Sequence, residues 1–365
     1  MRVNIFDNGL RGKTGHHFDF CLRLAQSCRA RGYTVQAYGP IGTEANVAEA
    51  FAAAGCGFTP LFSHFAYGKL NLGADLLADL LQHARTMATE LSHVATAEFN
   101  LFPAIKPLEF YGVSLSDLAG GIVGYAHGEP FQQGPIAARV WRTASEQARR
   151  RGINLRIGAI DPVIADFLAG YLDGMPVEVF PIALDGPGKT HYADQLTTIG
   201  FFGSQREERG FDVVAPLAEQ LLALGYRVVL HDTNGRFINV NGNPNLRILD
   251  NFVPDLSTEM AQCDVVVCPM QRDQYVHRMS GIACNAVACG IPLVLPAGTL
   301  AAARFSTLGS VRCYLEHSAA GIVQAVQELG RHYPRHAEAA RQGALQWGAT
   351  HGMAHFLDKV ANPPA

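Results

Sequence analysis

A chain of 365 residues has room for two domains, and 48% hydrophobic with 17% charged residues is the balance of a packed α/β protein, which excludes a disordered or membrane-embedded one. The formal net charge of −3 excludes a molecule-wide basic field, so nucleic acid is no expected partner and any anion site must be local. Eight cysteines with no Cys-x-x-Cys pair point to reduced thiols in a cytoplasmic protein rather than to disulfides or zinc.

Short apolar strands alternate with helical stretches from the start. RVNIF (2–6) carries no sign of a signal peptide; a helix follows around Phe18–Arg31, then the strand TVQAYG (34–39) and a helix around Thr43–Ala54. VATAEFNLFP (94–103), GGIVGYAHG (120–128), NLRIGAI (154–160) and VEVFPIALD (177–185) continue the strands, with a basic helix around Ile136–Arg151. The polar stretch 186–196, bearing glycine and proline, is expected to be a linker and hinge. A second series then begins. It holds the strand TTIGFFG (197–203), an amphipathic helix over 211–225 and the strand YRVVLHD (226–232). LRILDNFV (246–253), DVVVCP (264–269) and IPLVLP (291–296) follow, closed by one long helix from Ala337 to Val360. No apolar stretch reaches the ~18–20 residues of a membrane span. The alternation predicts parallel sheets covered by helices, in two successive Rossmann-like halves with ligands at the carboxyl ends of the strands.

YVHRMSGIACNAVACGIPLVLP (275–296) is the segment richest in functional signals. Ser280 suits a helix N-cap, Gly290 a helix end, and Pro292 forbids continuation. A helix start is itself partly positive, so Arg278 just ahead of it is unfavourable unless an anion shares the site. Arg278, Ser280 and Gly281 therefore form a candidate phosphate seat; the competing reading is an ordinary turn with a surface arginine. In IGFFGSQREERGF (199–211), Arg206 and Arg209 follow a strand and a glycine. Guanidinium groups grip phosphate in bidentate fashion, although Glu207 and Glu208 offer them partners on a plain surface. Two cation-bearing turns in one half favour a diphosphate ligand.

The first turn, DNGLRGKTGHHFDF (7–20), sets Gly9, Gly12 and Gly15 ahead of a helix, where backbone N–H groups can approach a phosphate. The spacing is not G-x-G-x-x-G, and the GKT triplets at 12–14 and 188–190 lack the leading glycine of a P-loop. His127 ends a strand and can exchange a proton near neutral pH; His16 and His17 are rival bases. There is no Asp-x-Asp motif, so arginines and a helix start are expected to stand in for a divalent ion, with no metal and no cofactor. The basic helix over 138–152 is either solvated or rests peripherally on an anionic membrane surface.

These residues resemble the GT-B glycosyltransferases, particularly the family 4 nucleotide-sugar enzymes, along most of the chain. The opening strand and glycine turn are similar to that group's start, where the loop glycine, here Gly15, abuts the donor diphosphate. Pro181 and Asp185 match its interdomain Pro-x-x-x-Asp, and Arg209 stands at its lysine position. Ser204 occupies the family arginine position, with Arg206 two residues on. Two family glutamates, eight residues apart, are replaced by His277 and Asn285.

The resemblance implies two Rossmann-like α/β domains facing a cleft: 1–190 for the acceptor, 191–345 for the nucleotide sugar, and a C-terminal helix over 346–365 packing back on the first domain. It implies a metal-independent glycosyltransferase moving sugar from a nucleoside diphosphate sugar to an acceptor hydroxyl on a glycan, lipid-linked, protein or small molecule. Gly15, Arg206, Arg209, Arg278, Ser280 and Gly281 would hold the diphosphate, and Phe252, Val253 and Asn285 the base and ribose. His127 would serve the acceptor. The alternatives are a non-hydrolysing sugar-nucleotide 2-epimerase and, given the missing glutamates, a catalytically silent nucleotide-binding subunit of a glycosylation complex.

Overall fold

The computed structural model describes residues 1–13, 16–66, 68, 76–127, 134–235, 242–251 and 253–362. The chain divides into two compact units, Met1–Pro181 with Met353–Ala365, and Ile182–Gly352.

The first unit runs β1 (Arg2–Phe6), α1 (His16–Ala30), β2 (Thr34–Pro40), α2 (Ala45–Ala53), β3 (Gly57–Phe62), α3 (Leu76–Ser92), β4 (Phe99–Phe102), α4 (Pro107–Leu115), β5 (Gly121–Ala126), α5 (Gly134–Arg150), β6 (Leu155–Ala159), α6 (Pro162–Tyr171) and β7 (Val177–Val179). Its strands lie in the order β3-β2-β1-β4-β5-β6-β7, each pair parallel. Apolar residues run through the central strands without alternation (Val3, Ile5 and Phe6; Ile122, Val123 and Tyr125), as a sheet covered on both faces requires.

The second unit runs β8 (Thr198–Phe201), α7 (Phe211–Ala223), β9 (Arg227–His231), β10 (Leu246–Leu249), α8 (Leu256–Ala261), β11 (Val265–Val267), α9 (Gly281–Cys289), β12 (Leu293–Pro296), α10 (Leu300–Phe305), β13 (Val311–Tyr314), α11 (Ala319–Arg331) and α12 (Tyr333–Thr350). The strand order is β10-β9-β8-β11-β12-β13, again parallel. One face packs Ile199, Phe201, Leu217, Leu221 and Leu329; the other packs Val229, Leu249 and Cys263, flanked by half-buried Phe202 and Val253.

The expected single long C-terminal helix is two helices. Gly352, at φ 98°, breaks it after α12, and its N–H donates to the Ile182 carbonyl at 2.8 Å. α13 (Met353–Ala361) then packs on the first unit. Phe356 meets Phe20, Tyr125 and Phe180, while Arg156 donates to the carbonyls of Lys359 and Val360 at 3.0 and 2.8 Å.

The stretch 186–196 is no free linker. Lys189 N–H donates to Cys289 O at 2.8 Å, Lys189 Nζ reaches Cys263 O at 2.6 Å and Asp264 Oδ1 at 3.2 Å, and Tyr192 OH donates to Gly290 O at 2.8 Å. These bonds bind it into the second unit, so the chain passes between units at Pro181–Ile182 and Gly352–Met353.

None of the eight cysteines is in a disulfide and seven are buried; burial pushes the Cys28, Cys263 and Cys268 thiols up to about 12, as inert small apolar groups. Among the described residues no helix is long and apolar enough to cross a membrane. In α5, Trp141 is buried against Phe110, and Arg149 pairs with Asp173 at 2.6 Å. The one aromatic that would have anchored this helix at a membrane surface belongs to the core.

Candidate functional site

In the second unit the chain builds β8, β9 and β10 outward, then crosses back to lay β11 on the other side of β8. Such a reversal opens a crevice at the carboxyl ends of the two strands, where open α/β sheets hold ligands. Two turns flank it. Gly203, at φ 99°, follows β8; Gly210, at φ 77°, precedes α7 and lies against the carbonyl of Pro269, beyond β11. No side chain fits at either position. A methyl group on Gly203 would come within 2.5 Å of Arg209 Nη1 and 3.1 Å of Ile282 Cγ1. Arg209 and the first turn of α9 therefore close over the same backbone atom.

α9 is a helix of small residues buried on most sides, Ala283, Cys284, Ala286, Val287, Ala288 and Cys289. Ser280 is its N-cap, accepting from Ala283 N–H at 3.3 Å, and Gly290 closes it at φ 75°. The N–H groups of Gly281 and Ile282 have no intrahelical acceptor. Space is open above Gly281, where a Cβ would meet nothing within 4 Å. A guanidinium beside a helix N-terminus juxtaposes two positive ends, which is unfavourable until an anion lies between them. Arg209 Nε is buried without a hydrogen-bond partner, and so is Asn285 Oδ1 one turn along α9.

The other expected arginines are placed differently. Arg206 is exposed and pairs with Glu208 at 3.4 Å, as on a plain surface. Arg278 lies over the ring of buried Tyr275, its guanidinium carbon 5.0 Å from the ring centre, a contact worth about 0.5–1 kcal/mol at such sites. Arg209 lies against the same glycine as Ile282 in the first turn of α9, whereas Arg278, two residues ahead of the N-cap, is laid over Tyr275. Val253 packs against the Val229–Leu249–Cys263 cluster. Gly15, Phe252 and the side chain of His16 lie outside the described residues.

The first unit has a matching reversal between β1 and β4. Just past β1, buried Asp7 accepts from the N–H of Gly9 at 2.8 Å and meets His17 Nδ1 at 2.9 and 2.7 Å with its two oxygens. A carboxylate only accepts, so His17 carries its proton on Nδ1 and Nε2 is the basic nitrogen. Burial alone would raise the Asp7 pKa, but the charge His17 carries when protonated and the hydrogen bonds from His17, Gly9 and Cys21 hold it below the usual carboxylate range. His127, past β5, donates from Nε2 to Pro103 O at 2.6 Å, and burial lowers its pKa. His17, Asp7 and Lys106 all act on it electrostatically, so both histidines share one neighbourhood. Glu109, in the first turn of α4, is buried beside Asn8; burial raises its pKa, against the opposing charge of Lys106.

Sequence reasoning missed Asp7, Asn8 and Glu109. Asp7 was legible as an acid at a strand's carboxyl end, ten residues from His17. Glu109 was hidden, because nothing in KPLEF distinguishes a buried acid from an ordinary one in a helix's first turn. Among the described residues, several buried side-chain nitrogen or oxygen atoms lack a hydrogen-bond partner. Six belong to Asn8, Glu109, Gln205, Arg209, His231 and Asn285, at or beside the carboxyl edges of the two sheets. Unsatisfied buried groups are costly, and clusters of them mark places built for something else to bind. No cluster of three His, Cys, Asp or Glu placed to hold a metal occurs among the described residues.

No protein-family model and no curated protein matches the chain. Solved structures do. Sucrose-phosphate synthase from Thermosynechococcus elongatus superposes with a TM-score of 0.69 at 11% identity, covering 99% of this chain and 97% of its own. Anabaena Alr3699/HepE, solved with UDP and glucose, gives 0.66 at 11% identity over 98% of each chain. The glycosyltransferase SnogD from Streptomyces nogalater gives 0.61 at 16% identity, covering 99% of this chain and 98% of its own. At such identities the likeness is one of fold, and the fold is GT-B: two parallel-sheet α/β domains spanning nearly the whole chain.

Proposed function

We infer that the protein is a glycosyltransferase that draws on a nucleoside diphosphate sugar and works without a metal ion. The observation that carries this reading is Arg209, its Nε buried and unpartnered, closing with the capped start of α9 over Gly203 at the strand reversal. That arrangement suits a diphosphate, whose developing negative charge on departure is stabilised by fixed N–H donors and a guanidinium. The neighbours support the same direction, since one was solved with UDP and glucose. Arg206 and Arg278 act at most from the periphery.

On the acceptor side, His17 is the base this reading favours, with Asp7 as its positioning residue. The Asp7 carboxylate, 2.7 Å from Nδ1, stabilises the imidazolium that forms when His17 takes a proton, whereas His127 faces the neutral carbonyl of Pro103 and burial disfavours its charged form. His17 takes the proton of the acceptor hydroxyl while its oxygen attacks the anomeric carbon, and the nucleoside diphosphate leaves.

The test is release of nucleoside diphosphate from a panel of sugar nucleotides, with mixed hydroxyl acceptors, with and without chelator. Turnover that persists in chelator is expected. Loss of turnover on chelation would overturn the metal-independent reading, and absence of turnover with every donor would leave the binding-subunit alternative standing. Arg209→Ala should weaken nucleoside diphosphate binding by about 1.5–3 kcal/mol, as for a hydrogen bond to a charged group; titration calorimetry at unchanged affinity would remove Arg209 from the site.

A further inference from the structure

Beyond the diphosphate seat, the carboxyl rim of the second sheet carries another set of unsatisfied groups. His231 ends β9 and is more than nine-tenths buried. Its Nε2 donates to the Asn251 carbonyl at 3.1 Å, which fixes the proton on Nε2 and leaves Nδ1 as a bare acceptor; that Nδ1 is buried without a partner. Gln205, two residues past Gly203, donates from Nε2 to the His231 carbonyl at 3.3 Å. A carbonyl oxygen only accepts, so the Gln205 amide is oriented too, and its buried Oε1 likewise lacks a partner. Both side chains thus direct a donor at a main-chain carbonyl, and each leaves a buried acceptor, His231 Nδ1 and Gln205 Oε1, without a partner.

The same end of the sheet offers an apolar surface. Phe202 and Val253, both half-buried, extend the Val229–Leu249–Cys263 cluster. An apolar face edged by acceptors calls for a flat group that is apolar on its faces and carries N–H donors on its rim.

We propose that His231 and Gln205 read the nucleobase of the donor and select one bearing an exocyclic amino group, as adenine, guanine and cytosine do, over uracil or thymine. The proposal rests on the nucleoside diphosphate reading above. An amino group, or the adjacent N1–H and amino group of guanine, presents two donors to two acceptors. The uracil edge presents one N–H between two carbonyl oxygens, so it can satisfy one of His231 Nδ1 and Gln205 Oε1 and sets a carbonyl oxygen against the other. Sites that hydrogen-bond a polar group reject analogues lacking it far more strongly than apolar pockets reject a changed shape.

Calorimetry on the full chain with ADP, GDP, UDP, dTDP and inorganic pyrophosphate tests this. ADP or GDP should bind at least about tenfold more tightly than UDP and dTDP. His231→Phe, which keeps a ring and removes the acceptor, should bring that ratio close to one while leaving pyrophosphate binding unchanged. Gln205→Leu should narrow the ratio in the same direction, and serves where His231→Phe loosens the segment that His231 holds through Asn251. UDP binding as tight as ADP and GDP, or a ratio unmoved in both variants, would overturn the base selection alone. Failure of every nucleotide and of pyrophosphate to bind would overturn the donor site itself, and the selection with it.

Discussion

Asp264→Ala should lower the unfolding free energy by about 3–5 kcal/mol, the range for breaking a buried ion pair by removing one partner. Asp264 is buried at the start of β11 and holds five donors: Thr197 N–H at 3.0 Å, Thr197 Oγ1 at 2.8 Å, Thr198 N–H at 2.9 Å, Lys189 Nζ at 3.2 Å and Tyr333 OH at 3.3 Å. The variant orphans all of these and leaves the Lys189 ammonium, with its side chain 5% exposed, facing a single carbonyl. Lys189→Met should cost less, because the Thr197, Thr198 and Tyr333 contacts still satisfy the carboxylate. Equilibrium denaturation that ranks the two variants the other way would show that Lys189, not Asp264, organises the segment. The same carboxylate sets a pH dependence. Burial would raise its pKa, but Thr197, Lys189 and the Thr197 and Thr198 N–H groups together hold it below the ordinary 3.8. Its folded pKa lies under its unfolded one. Its contribution is therefore complete above the unfolded value and disappears as pH falls through the folded one. Wild type should lose stability more steeply below about pH 4 than the Asp264→Ala variant does.

His17→Ala should reduce turnover by about 10²–10⁴-fold, the usual share of a positioned general base, with donor affinity little changed. Arg209, proposed to bind the donor diphosphate, belongs to the second unit, and His17 to the first. Asp7→Asn should act in the same direction through His17. An amide placed against Nδ1 no longer demands the tautomer that leaves Nε2 basic, so kcat falls while KM for the donor stays. His127→Ala should have the smaller effect. If His127→Ala abolishes turnover and His17→Ala leaves it intact, the roles of the two histidines are exchanged.

The fold was legible because the alternation of short apolar strands and helices has a single economical solution, and because Ser280, Gly290 and Pro292 mark the ends of α9 in the chain itself. The linker was misread. GPGKTHYADQL is polar and turn-rich, but Lys189 is held by a carboxylate 75 residues away, which no local pattern announces. The C-terminal break was equally hidden, since Gly352 in a helical run is a weak signal until its N–H is found on Ile182 O. In the candidate site, the sequence singles out both turns as cation-bearing but does not rank their arginines. Arg206, Arg209 and Arg278 look alike as residues. Only their surroundings distinguish one beside a helix start from one paired with Glu208 and one laid over Tyr275. His231 was passed over because it stands within a strand, where histidine is most often a satisfied structural residue.

The most direct measurement is an experimental structure of the protein with a nucleoside diphosphate. The phosphate oxygens are expected within hydrogen-bonding distance of Arg209 and of the Gly281 and Ile282 N–H groups at the start of α9. A diphosphate seated elsewhere, on the glycine turn after β1 for example, with Arg209 still unpartnered, would contradict the assignment of the donor site to the second unit.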